Sequence, residues 1–181
     1  RTDGWPSQQK NDTPRALINP WTSLHARDLP YLKEWDITDA QPIQLEEIVL
    51  EQDKSGVPIT RAISSKKTVK GKSGEGFTIP AAETGKTWFI LYDFGKLING
   101  MPRLEIEGKE GCEVEIMTAP FVVDNVFSHK AVDSEFLDKI ILSGGRDKWE
   151  ATYFKPTRYL GIAIRNDSTL HLHSAGIHVI E

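Results

Sequence analysis

The sequence predicts an all-β protein, an antiparallel two-sheet β-sandwich with an extended N-terminal lead-in. Three observations carry that reading. After Ile43, apolar and polar residues alternate with period two in one short stretch after another, the mark of strands with one buried face. Glycine, proline, asparagine and serine separate these stretches and no segment holds a convincing helical period, which fits a sandwich or barrel. The 181 residues, 39% hydrophobic and 27% charged, suit one ordinary domain with a real core.

Residues 1–42 read as the lead-in and 43–181 as the sandwich. Pro6, Pro14, Pro20, Pro30 and Pro42 recur through the lead-in, each removing a backbone donor and turning its predecessor away from helix. Trp5, Trp21, Tyr31 and Trp35 make it too apolar for a free linker. It is expected to lie along a surface, of this domain or of a neighbour, pinned by those aromatic anchors. The chain starts at Arg1, and no charged start runs into an apolar stretch. The expectation is an excised or processed piece with no legible signal peptide, which leaves the compartment open.

The clearest strand pattern is Leu104-Glu105-Ile106-Glu107, then Gly108-Lys109-Glu110-Gly111, then Cys112-Glu113-Val114-Glu115-Ile116. Two alternating runs around a short glycine-bracketed loop predict a β-hairpin. Leu104, Ile106, Cys112, Val114 and Ile116 then face inward, and the four glutamates share an outward face. Further strands are predicted at 47–50, 77–79, 88–93, 139–142, 149–154, 159–165 and 170–180. Turns separate them at Gly95 to Gly100, Ser143-Gly144-Gly145, Lys155-Pro156 and Asn166-Asp167-Ser168, and a short helical turn is placed near Ser134–Leu137. Between 54 and 72, Lys54, Arg61, Lys66, Lys67, Lys70 and Lys72 occur without an acidic residue. This segment reads as a solvated loop or long hairpin; the sharper alternative is a basic cover over the glutamate face, where like charges oppose one another.

Composition narrows function by exclusion. Lys and Arg number 22 against 26 Asp and Glu, a net charge of −4, so the positive field typical of nucleic-acid binding is missing. The basic segment also lacks aromatics for stacking bases. No run approaches the roughly 18 apolar residues that span a bilayer. A single cysteine, Cys112, rules out an internal disulfide framework and a cysteine-based zinc cluster. His171 and His173 share one strand face, but two imidazoles supply half of a tetrahedral zinc site, so no metal is predicted.

Catalysis meets the same test. Glycoside hydrolysis needs two facing acids, one in apolar surroundings, and only Asp93 has an apolar context. An Asp before Phe94-Gly95 reads as a turn organiser bonded to backbone amides. No nucleophile elbow, phosphate loop or Cys–His pairing is present. No active site is expected in this chain.

The aromatic residues form the candidate site. In 88–93, Trp88, Ile90 and Tyr92 alternate with Phe89 and Leu91; in 149–154, Trp149, Ala151 and Tyr153 alternate with Glu150, Thr152 and Phe154. In 159–165, Tyr159, Gly161, Ala163 and Arg165 alternate with Leu160, Ile162 and Ile164. With the aliphatic side taken as core, Trp88, Tyr92, Trp149, Tyr153 and Tyr159 form an outward face together with Asp93 and Arg158. Three readings stay open: a domain interface, caps on the core, or a platform for stacking sugar rings.

Asp93-Phe94-Gly95, Asn99-Gly100, Arg103-Leu104-Glu105-Ile106 and Gly108-Lys109-Glu110-Gly111 resemble the β-sandwich module of α-L-rhamnosidase-type glycoside hydrolases. Asp138-Lys139-Ile140-Ile141-Leu142-Ser143-Gly144-Gly145 is similar to that family's Asp-x-Tyr-x-Leu-x-Gly segment, with Ile140 in place of Tyr. Trp149-Glu150, Tyr153-Phe154 and Arg158-Tyr159 resemble its aromatic stretch, with Thr157 in place of Phe. Trp21, Leu24, Ala26-Arg27-Asp28-Leu29-Pro30 and Glu34 resemble the connection from a preceding module.

The resemblance implies a jelly-roll or concanavalin-like sandwich that serves as a non-catalytic accessory domain. It would pack beside a helical catalytic barrel C-terminal to it, which holds the catalytic acids. Its partners are then neighbouring domains of the parent chain and, in the alternative reading as an autonomous carbohydrate-binding module, a rhamnose-containing glycan. A periplasmic or extracellular parent is expected. A related sandwich module in that family binds rhamnose with calcium; here Asp124-Asn125 offers two oxygen ligands, against the six to eight that calcium takes. No cofactor is expected.

Overall fold

The structure, a computed structural model, describes residues 31–38, 40–49, 51–52, 58–59, 76–129 and 136–180. Strands β1 (Glu34–Ile37) and β2 (Pro42–Ile48) come first, and β3 (Glu51–Gln52) and β4 (Pro58–Ile59) pair only with each other. There follow β5 (Phe77–Ile79), β6 (Thr87–Glu107), β7 (Glu113–Ala119), β8 (Leu137–Ile141), β9 (Arg146–Glu150), β10 (Lys155–Arg165) and β11 (Leu170–Ile180). Among the described residues no helix is long and apolar enough to cross a membrane.

One antiparallel sheet curls over itself into two layers because β6 belongs to both. Its first half pairs with β2 and β10, and beyond β10 lie β7 and β8. Its second half pairs with β9 and β11, and β11 carries β1 and β5. Inward side chains from both layers meet in an aliphatic core that includes Ile90, Leu104, Ile106, Val114, Ile116, Leu160, Ile162 and Leu172. Burial of alternate residues from two facing layers is what makes a sandwich stable.

The predicted hairpin is an arch. Leu104 pairs with Ala175 and Trp149, whereas Val114 pairs with Ile164 and Ile140, so the two runs lie in opposite layers. The inward residues are as predicted: Leu104, Ile106, Cys112, Val114 and Ile116 are all buried. The glutamates therefore point to opposite outsides of the slab and share no face. Glu105 accepts Arg146 at 2.6 Å and Lys148 at 3.3 Å, and Glu107 meets His173 at 3.1 Å. On the other side Glu113 meets Lys139 at 2.7 Å and Arg165 at 3.1 Å, and Glu115 lies buried under Arg165. Alternation tells which side a residue shows; it is blind to whether the next strand lies alongside or across the core. With local cations on each pair, a basic cover has no work left. Of residues 54–72 only Pro58–Ile59 are described, as β4, and the basic residues themselves lie outside the described residues.

Other boundaries moved for related reasons. Gly95 to Gly100, read as a turn, lies within β6, and Lys155-Pro156 begins β10. The strand placed at 149–154 runs instead over Arg146–Glu150, and the sheet already includes β1, ahead of Ile43. In the predicted helical turn, Leu137 opens β8, while 134–135 lie outside the described residues.

The slab has two unlike ends. At one, the connections 80–86, 108–112, 142–145 and 166–169 all pass from layer to layer, closing it. At the other, β6 crosses between layers, 120–136 links β7 to β8, and 151–154 links β9 to β10. Outside the layer containing β10, a second cluster of Phe89, Leu91, Met117, Ala119, Tyr159 and Ala163 packs with Phe127. The Phe127 ring sits 5.9 Å from that of Phe89. Gly161 makes room for it, since a Cβ there would lie 2.7 Å from a Phe127 ring carbon.

The segment carrying Phe127 is turned by Asp124 and Asn125. Their φ angles are 49° and 60°, and the Val126 N–H donates to the Val123 carbonyl at 2.8 Å. This is a two-residue hairpin turn of the left-handed type that Asp and Asn tolerate. The Asp-Asn pair is thereby explained by backbone geometry. Asp124→Val is expected to cost about 1–2 kcal/mol, the left-handed penalty for a side chain with a branched Cβ. Asn125→Val should carry a penalty of the same kind, because Asn125 also sits in the left-handed region at φ 60°. Urea unfolding midpoints check both.

Candidate functional site

The predicted site residues separate into two groups. Trp88, Tyr92 and Trp149 turn inward and pack on the aliphatic core. The reason is register: Ile90 pairs with Ile162 and Tyr92 with Leu160, so the ring side of β6 and the aliphatic side of β10 are the same side. Burial pushes the Tyr92 hydroxyl well above the usual tyrosine range. The Trp88 indole N–H is buried without a hydrogen-bond partner. Tyr159 is buried as well, in the outer cluster. The continuous outward face of rings is therefore not formed.

Asp93, Arg158, Tyr159 and Tyr153 lie at the end where β6 crosses between layers. Asp93 pairs with Tyr159 and Ile98 with Thr157, so residues 94–97 of β6 have no counterpart on β10. This is a bulge, a device that re-aims side chains at sheet ends. Gly95, at φ 73°, donates its N–H to Asp93 Oδ1 at 2.8 Å, the turn-organising role read from the sequence. Arg158 forks onto the same carboxylate, Nε to Oδ1 at 3.1 Å and Nη2 to Oδ2 at 3.3 Å. Its guanidinium carbon lies 5.0 Å from the centre of the Tyr159 ring.

Burial alone raises the Asp93 pKa, but Arg158 and the Gly95 N–H outweigh it and hold the carboxyl below the ordinary aspartate range. Burial, then the neighbouring Asp93 charge, pushes the Tyr159 hydroxyl up. Because the folded pKa of Asp93 is depressed, the stability this pair contributes is complete above the unfolded value of about 4 and fades as pH falls through the folded one. Asp93→Asn is expected to destabilise at neutral pH and to converge with the parent chain in acid. Urea midpoints taken across pH measure the convergence.

Lys155 was missed. It is 0% exposed, its ammonium pairs with Asp138, and it stands 4.7 Å from the centre of the Tyr153 ring. Tyr153 and Phe154 beside it are 47% and 44% exposed. Lys155-Pro156 looks like turn punctuation; the available signal was that Lys155, Thr157 and Tyr159 share one strand parity.

Two further sites complete the surface. His171 and His173 stack edge to face at 4.5 Å, with His171 Nδ1 3.2 Å from Thr78 Oγ1. Among the described residues no group of three or more His, Cys, Asp and Glu is placed to hold a metal ion. At the closed end a groove of about 700 Å³ is lined by Lys86, Lys109, Glu110, Cys112, Arg165 and Asp167, among others. Burial, with Asp167 and Glu113 adding to it, pushes the Cys112 thiol up to about 11, which disfavours the nucleophilic thiolate.

A curled antiparallel sheet with an aliphatic interior and ion-paired outsides defines a concanavalin-like β-sandwich module. The chain belongs to the family described as the bacterial alpha-L-rhamnosidase concanavalin-like domain, whose sequence model matches residues 82–179. Among solved structures it shares its fold with the GH78 family rhamnosidase of Bacillus sp. GL1 (TM-score 0.53, 18% identity, covering 62% of this chain and 12% of that one). Weaker likenesses join it to a rhamnosidase from Klebsiella oxytoca with rhamnose bound (TM-score 0.45, 8% identity, 83% of this chain and 30% of that one). Another is to a family 29 carbohydrate-binding module complexed with cellulohexaose (TM-score 0.35, 10% identity, 75% and 92%). No curated protein matches the chain. It therefore spans about an eighth of the Bacillus enzyme's length, at the 12% coverage found.

Proposed function

We propose that this chain is a non-catalytic accessory module of an α-L-rhamnosidase-type glycoside hydrolase, packed beside that enzyme's catalytic domain. The observation that carries the reading is the family match, which falls on the sandwich itself. The electrostatics support it. A glycosidase acid needs a raised pKa, and the one acid with an apolar sequence context, Asp93, is shifted the other way by Arg158. Glu105 is likewise held below the ordinary glutamate range by Arg146.

The 181-residue chain alone is expected to release no phenol from an aryl α-L-rhamnoside, while the full-length polypeptide that contains it does. Turnover by the chain alone, abolished in Asp93→Asn, would overturn this reading. A second reading, an autonomous carbohydrate-binding module, draws on the exposure of Tyr153 and Phe154 side by side. Titrating the chain with L-rhamnose and rhamnosides, with and without calcium, decides between them: saturable binding favours the second.

A further inference from the structure

We propose that the end of the slab holding the Asp93–Arg158 pair is the surface on which a neighbouring folded domain of the same polypeptide docks. The inference rests on the accessory-module reading and names its contact face. Leu97, Phe121, Val123, Tyr153 and Phe154 are large apolar side chains left exposed, and all five sit on the three connections at this end. Solitary exposed apolar residues are ordinary on a monomer, whereas a cluster marks a contact. The opposite end exposes fewer such side chains, Val49 and Ile141, and more paired charge: there Lys86 pairs with Glu83 and Lys109 with Asp167 around a groove.

The chemistry of the rim fits a protein partner. Phenylalanine, tyrosine and arginine are the side chains enriched at the centres of protein interfaces. Arg158 is already oriented by its two bonds to Asp93, so little conformational freedom is lost on docking. The buried Lys155 ammonium fixes the Tyr153 ring in the same way. A single sugar ring covers one or two aromatic faces; five apolar side chains spread over three connections call for a broad, folded surface.

The path of the chain points to the same occupant. Glu34 pairs with Ile180, and Val179 pairs with Gly100 where β6 crosses between layers. The last strand, β11, thus ends at this rim, so a domain joined directly after it begins beside the rim.

Hydroxyl-radical footprinting read by mass spectrometry tests the assignment, comparing the 181-residue chain with the full-length polypeptide. The expected result is a several-fold loss of oxidation at Phe121, Tyr153 and Phe154 in the longer protein, with Ile141 at the far end unchanged. Phe154→Asp in the full-length protein should return Phe121 to the labelling of the shorter chain. Equal labelling of the rim in both proteins overturns the proposal. So does protection of the 181-residue chain that grows with its own concentration, which means a second copy, or that follows added L-rhamnose, which means a sugar. Aryl rhamnoside turnover by the same full-length sample tests the module reading separately. Turnover with an unprotected rim sinks the surface alone, and protection without turnover sinks the module reading alone.

Discussion

Asp138→Ala is expected to destabilise the domain by about 3–5 kcal/mol, the range for leaving one member of a buried ion pair without its partner. Lys155 is fully buried, so its ammonium has no water to fall back on once Asp138 is gone. The Tyr153 ring 4.7 Å away offsets only about 1–2 kcal/mol, the usual worth of a cation over an aromatic face. The pair also ties β8, an edge strand held otherwise by β7 alone, to the start of β10. A second variant separates charge from shape. In Asp138→Leu combined with Lys155→Met, no charge is buried and packing volume is kept, so most of the loss should be recovered. Urea denaturation of the parent, the single variant and the double variant reads both numbers. A single variant within about 0.5 kcal/mol of the parent, the scatter of ordinary surface changes, would mean that the ammonium reaches solvent.

How far the sequence foretold this molecule depends on how local each feature is. β5 and β11 were found with their bounds, because turn residues at Gly76, Pro80 and Asn166-Asp167-Ser168 mark their starts and stops locally, even though a bulge between Leu172 and Ser174 shifts the alternation within β11. The Asp93-Phe94-Gly95 turn was legible for the same reason: its carboxylate bonds an amide two residues on. Features set by register were not. Whether Trp88 and Tyr92 face the core or the solvent depends on Ile90 meeting Ile162, and nothing within 88–93 records that meeting. Gly95 to Gly100 carries every mark of a turn, yet glycine equally lets one long strand bend from layer to layer without stopping. Lys155 is the extreme case. A lysine is almost never fully buried unless paired, and its pair stands 17 residues earlier in the chain. The site at the rim was half visible in consequence: Asp93 and Arg158 were both singled out, and their junction was not.

Val114→Asp is expected to lose more than about 4 kcal/mol, the exceptional class reserved for mechanisms such as burying an unpaired charge. Val114 is 0% exposed and belongs to the same aliphatic cluster as Leu104, Ile106, Ile116 and Ile164, a cluster that contains no cation. A domain stable by about 5–15 kcal/mol retains little of its margin after such a loss, so the variant should lose its thermal transition or show it far below that of the parent by circular dichroism. Glu113→Lys, one residue earlier, works by another mechanism. Sequence alternation alone predicts that it is harmless, but Glu113 accepts both Lys139 and Arg165, and a third cation at that point turns two attractions into repulsions. Its effect should be modest and should shrink as salt is raised, because exposed charges are screened; the Val114→Asp loss should be insensitive to salt. The arch adds a requirement that a hairpin would not. Leu104 faces Val114 from the opposite layer, in one shared core, so Leu104→Asp must unfold the domain as severely as Val114→Asp. A tolerant Leu104→Asp beside an intolerant Val114→Asp would mean that the two layers do not close on one another.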